Sequence, residues 1–201
     1  MLIRVPATEK FYLKGEERFG PLLSRLYGAF TPFGMDYYRF VARDLLDSRA
    51  RSFLDVGTGN GIVPSLMANK TNSKIYCVDP SRDMVAIARK KNSAFGNVFV
   101  SRGSSRYVPF RKKFGIIFSS LSYHHWALKA ESLMYLSGFL IGSGELRIYE
   151  YNIEKASVFS RALAGKHMSS VDRVKRDIEG TGLRISARKF HSEYMRISIR
   201  K

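Results

Sequence analysis

Between Leu54 and Gly61 the chain reads Leu-Asp-Val-Gly-Thr-Gly-Asn-Gly, so glycines fall at 57, 59 and 61. Glycine lets a backbone turn tightly and lets a ligand approach with no Cβ in the way. The apolar run that follows opens a helix at Ile62, and a helix N-terminus offers free N–H groups to negative charge. Further on stands Val78-Asp79-Pro80-Ser81. A carboxylate about 20 residues past such a turn, at the end of a second strand, accepts the hydroxyls of a ribose. Gly57, Thr58, Gly59 and Gly61 with Asp79 therefore point to a nucleoside cofactor. The nicotinamide fingerprint needs its third glycine one residue later, and that position is Ile62. Asp79 itself serves either class of cofactor.

These residues need a strand–turn–helix frame, and the surrounding pattern supplies it. Short apolar runs at Ser52–Val56, Lys74–Val78, Asn97–Ser101, Phe114–Ser119 and Gly144–Glu150 read as strands. Helical segments separate most of them: Ile62–Ala68, a helix capped by Ser81 running to about Asn92, and His125–Leu140. Asp36 is the expected cap of an earlier helix ending near Asp47, and residues 1–35 read as irregular with one or two short helices and a loop over 28–34. Such alternation implies βαβ units and a parallel sheet. A helix over Ser170–Glu179 ends at Gly180, and two strands follow, Leu183–Phe190 and Glu193–Arg200. Their two-residue link is too short for a parallel crossover, so they form an antiparallel hairpin. The expected fold is α/β: a doubly wound, mostly parallel, seven-stranded Rossmann-like sheet with an antiparallel C-terminal hairpin. It forms one domain, with residues 1–50 as an N-terminal helical cap and 51–201 as the core.

Composition bounds the function. Apolar residues make up 45% and aromatics 13% of 201 residues, which excludes a disordered chain. No apolar run reaches the length of a membrane span, and Met1–Pro6 lacks the core of a secretory signal. Cys77 is the only cysteine, so no disulfide forms within the chain, and its apolar neighbours make it a buried thiol. A cytoplasmic location is expected. With 34 Lys and Arg against 17 Asp and Glu, the net charge is +17. Such a field attracts polyanions. Arg173, Lys175, Arg176, Arg184, Arg188 and Lys189 are expected to form part of a positive face, which makes RNA a possible partner. His124 and His125 are adjacent, which does not suit a metal pair, and no metal site is expected. Histidine can act as a general base near neutral pH, and His124 is the candidate catalytic residue. Tyr12, Tyr27 and Trp126 could roof a pocket.

The run Asp55-x-Gly57-x-Gly59-x-Gly61, then Val78-Asp79 with Met84 beyond it, resembles the class I S-adenosylmethionine-dependent methyltransferases. Arg102–Phe110 looks like that family's segment after the third strand, and Phe114–Trp126 like its fourth-strand segment. Residues 24–48 resemble the N-terminal helices of quinone-biosynthesis C-methyltransferases and their small-molecule relatives. The resemblance implies S-adenosyl-L-methionine as cofactor and a small-molecule methyl acceptor. It implies that Gly57, Gly59 and Gly61 line the methionine end, with Asp55 near its amino group. Asp79 would hold the ribose, Pro80 and Met84 would pack on the adenine, and Ser104 and Ser105 would face its amino group. Ser119 would lie beside the sulfonium. The family commonly has Asp where Ser104 and Gly115 stand. The alternatives are an RNA-directed methyltransferase, acting on tRNA or rRNA, and a non-catalytic cofactor-binding module. The Asn/Asp-Pro-Pro-aromatic motif of amino-methylating nucleic-acid enzymes is replaced here by Ser119-Ser120-Leu121-Ser122.

Overall fold

Apolar runs rich in β-branched and aromatic residues, Phe53-Leu54, Ile75-Tyr76-Cys77-Val78 and Ile116-Ile117-Phe118, form the centre of an eight-stranded sheet. A computed structural model describes residues 10–13, 35–156 and 168–201. In chain order these contain α1 (Met35–Asp47), β1 (Ser52–Val56), α2 (Ile62–Ala68), β2 (Lys74–Asp79), α3 (Arg82–Lys91), β3 (Val98–Arg102) and β4 (Phe114–Ser120). A 3-10 turn (Tyr123–His125) and α4 (Lys129–Ser137) follow, then β5 (Leu140–Asn152), β6 (Met168–Ser169), α5 (Val171–Asp177), β7 (Arg184–His191) and β8 (Tyr194–Arg200).

The strand order is β3-β2-β1-β4-β5-β8-β7, with the short β6 pairing β5 off this path. The first five strands run parallel. β8 lies antiparallel between β5 and β7, and the hairpin turns at Ser192 with φ +52°. The two-residue β6 is the addition to the seven strands expected. The order reverses at β1, which has β2 on one side and β4 on the other. That is the switch point where α/β sheets open a crevice at their carboxyl ends.

Each face of the sheet buries its own core. One packs Leu54, Val78, Ile117 and Ile148 against Leu133 and Leu136 of α4 and Val174 of α5. The other packs Phe53, Ile75 and Phe118 against Val41 and Leu45 of α1 and Val63 and Met67 of α2. Cys77 is fully buried in the second core, and burial pushes its thiol up from the ordinary value.

Three local expectations change. Asp36 lies in the first turn of α1, where its carboxylate accepts from Arg39. The helix expected from His125 starts at Lys129, because Trp126 adopts an extended backbone after the 3-10 turn. β5 begins four residues early, at Leu140, and shifts register against β4 between Phe114 and Ile116. Gly144 permits this shift: a Cβ there would stand 2.9 Å from the Gly115 carbonyl oxygen. Gly115 in turn packs on Ala50, 3.2 Å from where its Cβ would be. The expected irregular segment over 1–35, including the 28–34 loop, lies almost wholly outside the described residues.

Asp44 ties α1 to the β5-β8-β7 edge. It accepts from Arg147 Nη1 (3.1 Å), Tyr149 OH (2.7 Å), Lys189 Nζ (2.6 Å) and Arg196 Nη1 (3.1 Å). Arg147 also donates to Glu145 at 2.6 Å, and Glu145 accepts from Arg200 at 3.2 Å.

Candidate functional site

The residues after β1 turn back on themselves through backbone that favours glycine. Gly57, Gly59 and Gly61 have φ of +82°, +55° and +73°. The amides of Gly57 and Thr58 both donate to the Val78 carbonyl, at 2.9 and 3.0 Å, which fixes the turn to the end of β2. The three glycines do different work. A Cβ at Gly57 would lie 1.9 Å from Ser122 Oγ, in the loop after β4. Nothing stands near a Cβ at Gly59, which faces the cleft. Gly61 does not line the cleft: it begins α2, and its Cβ would meet Asn92 Nδ2 at 2.6 Å and Ala88 Cβ at 2.9 Å.

Two buried carboxylates stand beside this turn. Asp55 Oδ2 accepts from Thr58 Oγ1 at 2.8 Å, while its Oδ1 is buried and has no hydrogen-bond partner among the described residues. Burial foremost, with the nearby Asp79 charge adding, pushes the Asp55 carboxyl up to about 7 against the Thr58 hydrogen bond. Asp79 Oδ2 accepts from the Gly59 amide and Oδ1 from the Ser81 amide, both at 2.9 Å. It therefore couples the glycine turn to the start of α3. Burial raises Asp79 to about 6 despite those two bonds. A buried carboxylate oxygen with no donor costs free energy unless one arrives.

A cleft of about 960 Å³, counting its open mouth, extends from these residues along the carboxyl ends of β1, β2 and β4. Asp55, Gly57, Thr58, Gly59, Asp79, Pro80, Met84, Ser104 and Ser105 all line it. Ser104 and Ser105 enter with their hydroxyls engaged: Ser104 Oγ donates to the Lys10 carbonyl and accepts from the Arg106 amide, and Ser105 Oγ bonds Ser132 Oγ. Ser119 is buried outside the cleft, and the wall is formed instead by Ser120, Leu121 and Ser122. Leu121 has φ +49°, a strained conformation that such sites concentrate.

Aromatic groups close the other side. Phe11 and Tyr12 line the cleft with Tyr38, His125 and Trp126. The Arg102 guanidinium lies 3.7 Å from the centroid of Phe11. Tyr27 lies outside the described residues. His124 does not line the cleft. Its side chain is 6% exposed, and Nδ1 lies 2.9 Å from Glu150 Oε2. Its amide donates to Glu150 Oε1 at 3.3 Å. The His124 and His125 ring centroids are 3.9 Å apart. Sequence reasoning missed Glu150, because nothing in a strand terminus marks which side chain turns toward a loop after another strand.

Residues 53–136 match the family model described as a methyltransferase domain. No curated protein matches the chain by sequence. Among solved structures, the mitomycin 7-O-methyltransferase MmcR superposes with a TM-score of 0.76 at 14% identity, covering 90% of this chain and 58% of its own. A SAM-dependent methyltransferase from Aquifex aeolicus gives 0.73 at 18% identity, covering 90% and 98%. An O-methyltransferase family protein from Burkholderia thailandensis gives 0.72 at 14% identity, covering 89% and 59%. The chain thus spans about three fifths of the larger O-methyltransferases it matches. It has the Rossmann-like fold of these methyltransferases.

Proposed function

We propose that this protein is an S-adenosylmethionine-dependent methyltransferase that acts on a small-molecule acceptor. The observation that carries the reading is the cleft at the switch point, where a glycine turn brings Asp55 and Asp79 together. The methyltransferase-domain match over 53–136 supports it.

The residues fit that cofactor. Asp55 presents a buried oxygen with no donor among the described residues, a seat for the amino group of the methionine end. The open approach at Gly59 leaves room for the ligand chain. Asp79 spends one lone pair of each oxygen on backbone amides, and each oxygen keeps capacity for a ribose hydroxyl. Pro80 and Met84 supply apolar surface for the base. When bound, the cofactor supplies a methyl group activated by a sulfonium. The protein's task is then to orient the acceptor in line and to exclude water.

Proton removal, where the acceptor is a hydroxyl, falls to His124, which lies behind the cleft wall and takes the proton through one intervening water. Glu150 engages Nδ1, which fixes the orientation of the ring. His125, against the His124 ring and on the cleft wall, contacts the acceptor. An oxygen acceptor draws support from the mitomycin enzyme and from an O-methyltransferase of neocarzinostatin biosynthesis, solved with S-adenosylmethionine and a hydroxynaphthoic acid. The narrower quinone-biosynthesis-like reading rests on the likeness over residues 24–48 and makes carbon the accepting atom.

The test is calorimetric titration with S-adenosylhomocysteine, with NAD as control, followed by transfer of labelled methyl into a fractionated cell extract. Binding of S-adenosylhomocysteine and label in a small-molecule fraction are expected. Binding of NAD alone rejects the cofactor, and label confined to RNA rejects the acceptor class.

A further inference from the structure

The sheet ends in an edge strand whose two faces are charged differently. On the α1 face, Lys189 and Arg196 meet Asp44, and Arg200 meets Glu145. On the other face, α5 and β7 form an open groove lined by Lys175, Arg176, Arg184 and Arg188, with Asp172 and Glu179 as its acids. All four cations are exposed. None makes an ion pair or side-chain hydrogen bond among the described residues. The expected six-residue positive face therefore divides: Lys189 is held on the opposite side, and Arg173 donates to the Met168 carbonyl.

The groove is separate from the cleft. β7 is three strands from β4, about 14 Å at the usual strand spacing, and the two sites share no lining residue. Its shape selects among anionic partners. A bilayer is broad and reaches only the rims of a groove, whereas a single nucleic-acid strand can lie along it. Phe190, two residues beyond Arg188 on the same strand, is 41% exposed and has Lys155 Nζ 4.6 Å from its ring centroid, so an aromatic ring and a further cation stand beyond the groove's end.

We propose that the α5–β7 groove binds the phosphate backbone of single-stranded RNA, as a docking partner distinct from the methyl acceptor. The inference is independent of the methyltransferase reading, since it uses none of the cleft residues.

The experiment measures fluorescence anisotropy of a labelled oligouridylate with the full chain from about 50 to 200 mM salt. A groove variant replaces Lys175, Arg176, Arg184 and Arg188 by Gln. A control variant removes the same charge at the opposite sheet edge, at Lys70, Lys74, Lys90 and Lys91. Each lost phosphate contact lowers the log–log salt slope by about 0.7, so the groove variant should lose about 2–3 and the control less than about 1. The charge-preserving R184K/R188K variant should keep the wild-type slope. Unfolding midpoints and S-adenosylhomocysteine titration check that each variant is folded. Equal slopes in the groove and control variants overturn the proposal. So does loss of binding to phosphatidylserine vesicles in the groove variant with its RNA slope unchanged, which would assign the groove to a membrane surface.

Discussion

Gly57 and Ser122 touch where the turn after β1 meets the loop after β4: a Cβ at position 57 would lie 1.9 Å from the Ser122 hydroxyl and 2.5 Å from its Cβ. The contact sets the distance between the glycine turn and the cleft wall that holds Leu121 and Ser122. Gly57→Ala faces both this clash and a φ of +82°. The strained backbone alone costs about 1–3 kcal/mol. We expect Gly57→Ala to lower stability by at least that much and to abolish S-adenosylhomocysteine binding. Adding Ser122→Gly should recover part of the stability but not all, because the backbone strain remains. Chemical denaturation of the two single variants and the double variant checks this. Full recovery would show that only the clash mattered.

Asp55 and Asp79 set a pH dependence with a definite sign. Burial raises them to about 7 and about 6, so the folded ligand-free state holds protons that the unfolded chain has already released. Stability therefore falls as pH rises from about 4 to about 7, and stays lower above that. Asp55→Asn removes the larger of the two costs and keeps an acceptor for Thr58. It should raise stability of the ligand-free protein by at least about 2 kcal/mol at pH 8 and by less than half as much at pH 5. Binding of S-adenosylhomocysteine should have the opposite sign, since in the proposed role of Asp55 the ligand's ammonium pairs with the ionised carboxylate. Affinity of the wild type should rise through pH 6–7, and that rise should vanish in Asp55→Asn. Urea titrations and calorimetry at the two pH values read both effects.

Asp44 responds in another window. Burial raises its pKa, but hydrogen bonds from Lys189 and Tyr149 and the charges of Arg196 and Arg147 carry it below the ordinary carboxylate value. Its contribution is present at neutral pH and lost as pH falls through its folded value, below about 4. Asp44→Ala strips a buried partner from Arg147 and should cost about 3–5 kcal/mol. Lys189→Ala should cost less than about 1 kcal/mol, because that ammonium is half exposed. Equal losses in the two variants would mean that Lys189, and not the buried guanidinium, anchors α1 to the sheet.

The frame was legible because its signals are local. Continuous apolar runs mark buried parallel strands, the glycine spacing marks the turn, and the two-residue link forces the hairpin. As lining of the cleft, Asp55, Asp79, Pro80 and Met84 were legible for the same reason, since they lie in or just beyond strands β1 and β2. Gly61 and Ser119 show the limit. Both sit within the motif, but one residue's rotation along a strand or turn decides which face a side chain takes, and the packing of Asn92 and Ala88 decided it for Gly61. Glu150 and the Asp44 hub were illegible because their partners lie 26 and more than 100 residues away. The split of the basic face was hidden too, because alternation along β7 sends Lys189 to Asp44 while Arg188 faces the groove.

Glu150 holds His124 by two contacts, one to the ring and one to the amide, and the proposed base role can be separated from a purely structural one. His124→Ala should lower kcat on a hydroxyl acceptor by about 100- to 10,000-fold, with S-adenosylhomocysteine affinity unchanged. Glu150→Gln keeps a hydrogen-bond acceptor for Nδ1 but removes the charge, so it should lower kcat less than His124→Ala does while leaving the acceptor KM near the wild-type value. His125→Ala, on the cleft wall, should act mainly on the acceptor KM. The decisive substrate is an acceptor that is already ionised, such as a nitrophenol above its own pKa. Methyl transfer to it needs no proton removal, so His124→Ala should use it at a rate close to that of the wild type. If His124→Ala is as impaired on the ionised acceptor as on the neutral one, the histidine shapes the cleft and takes no proton.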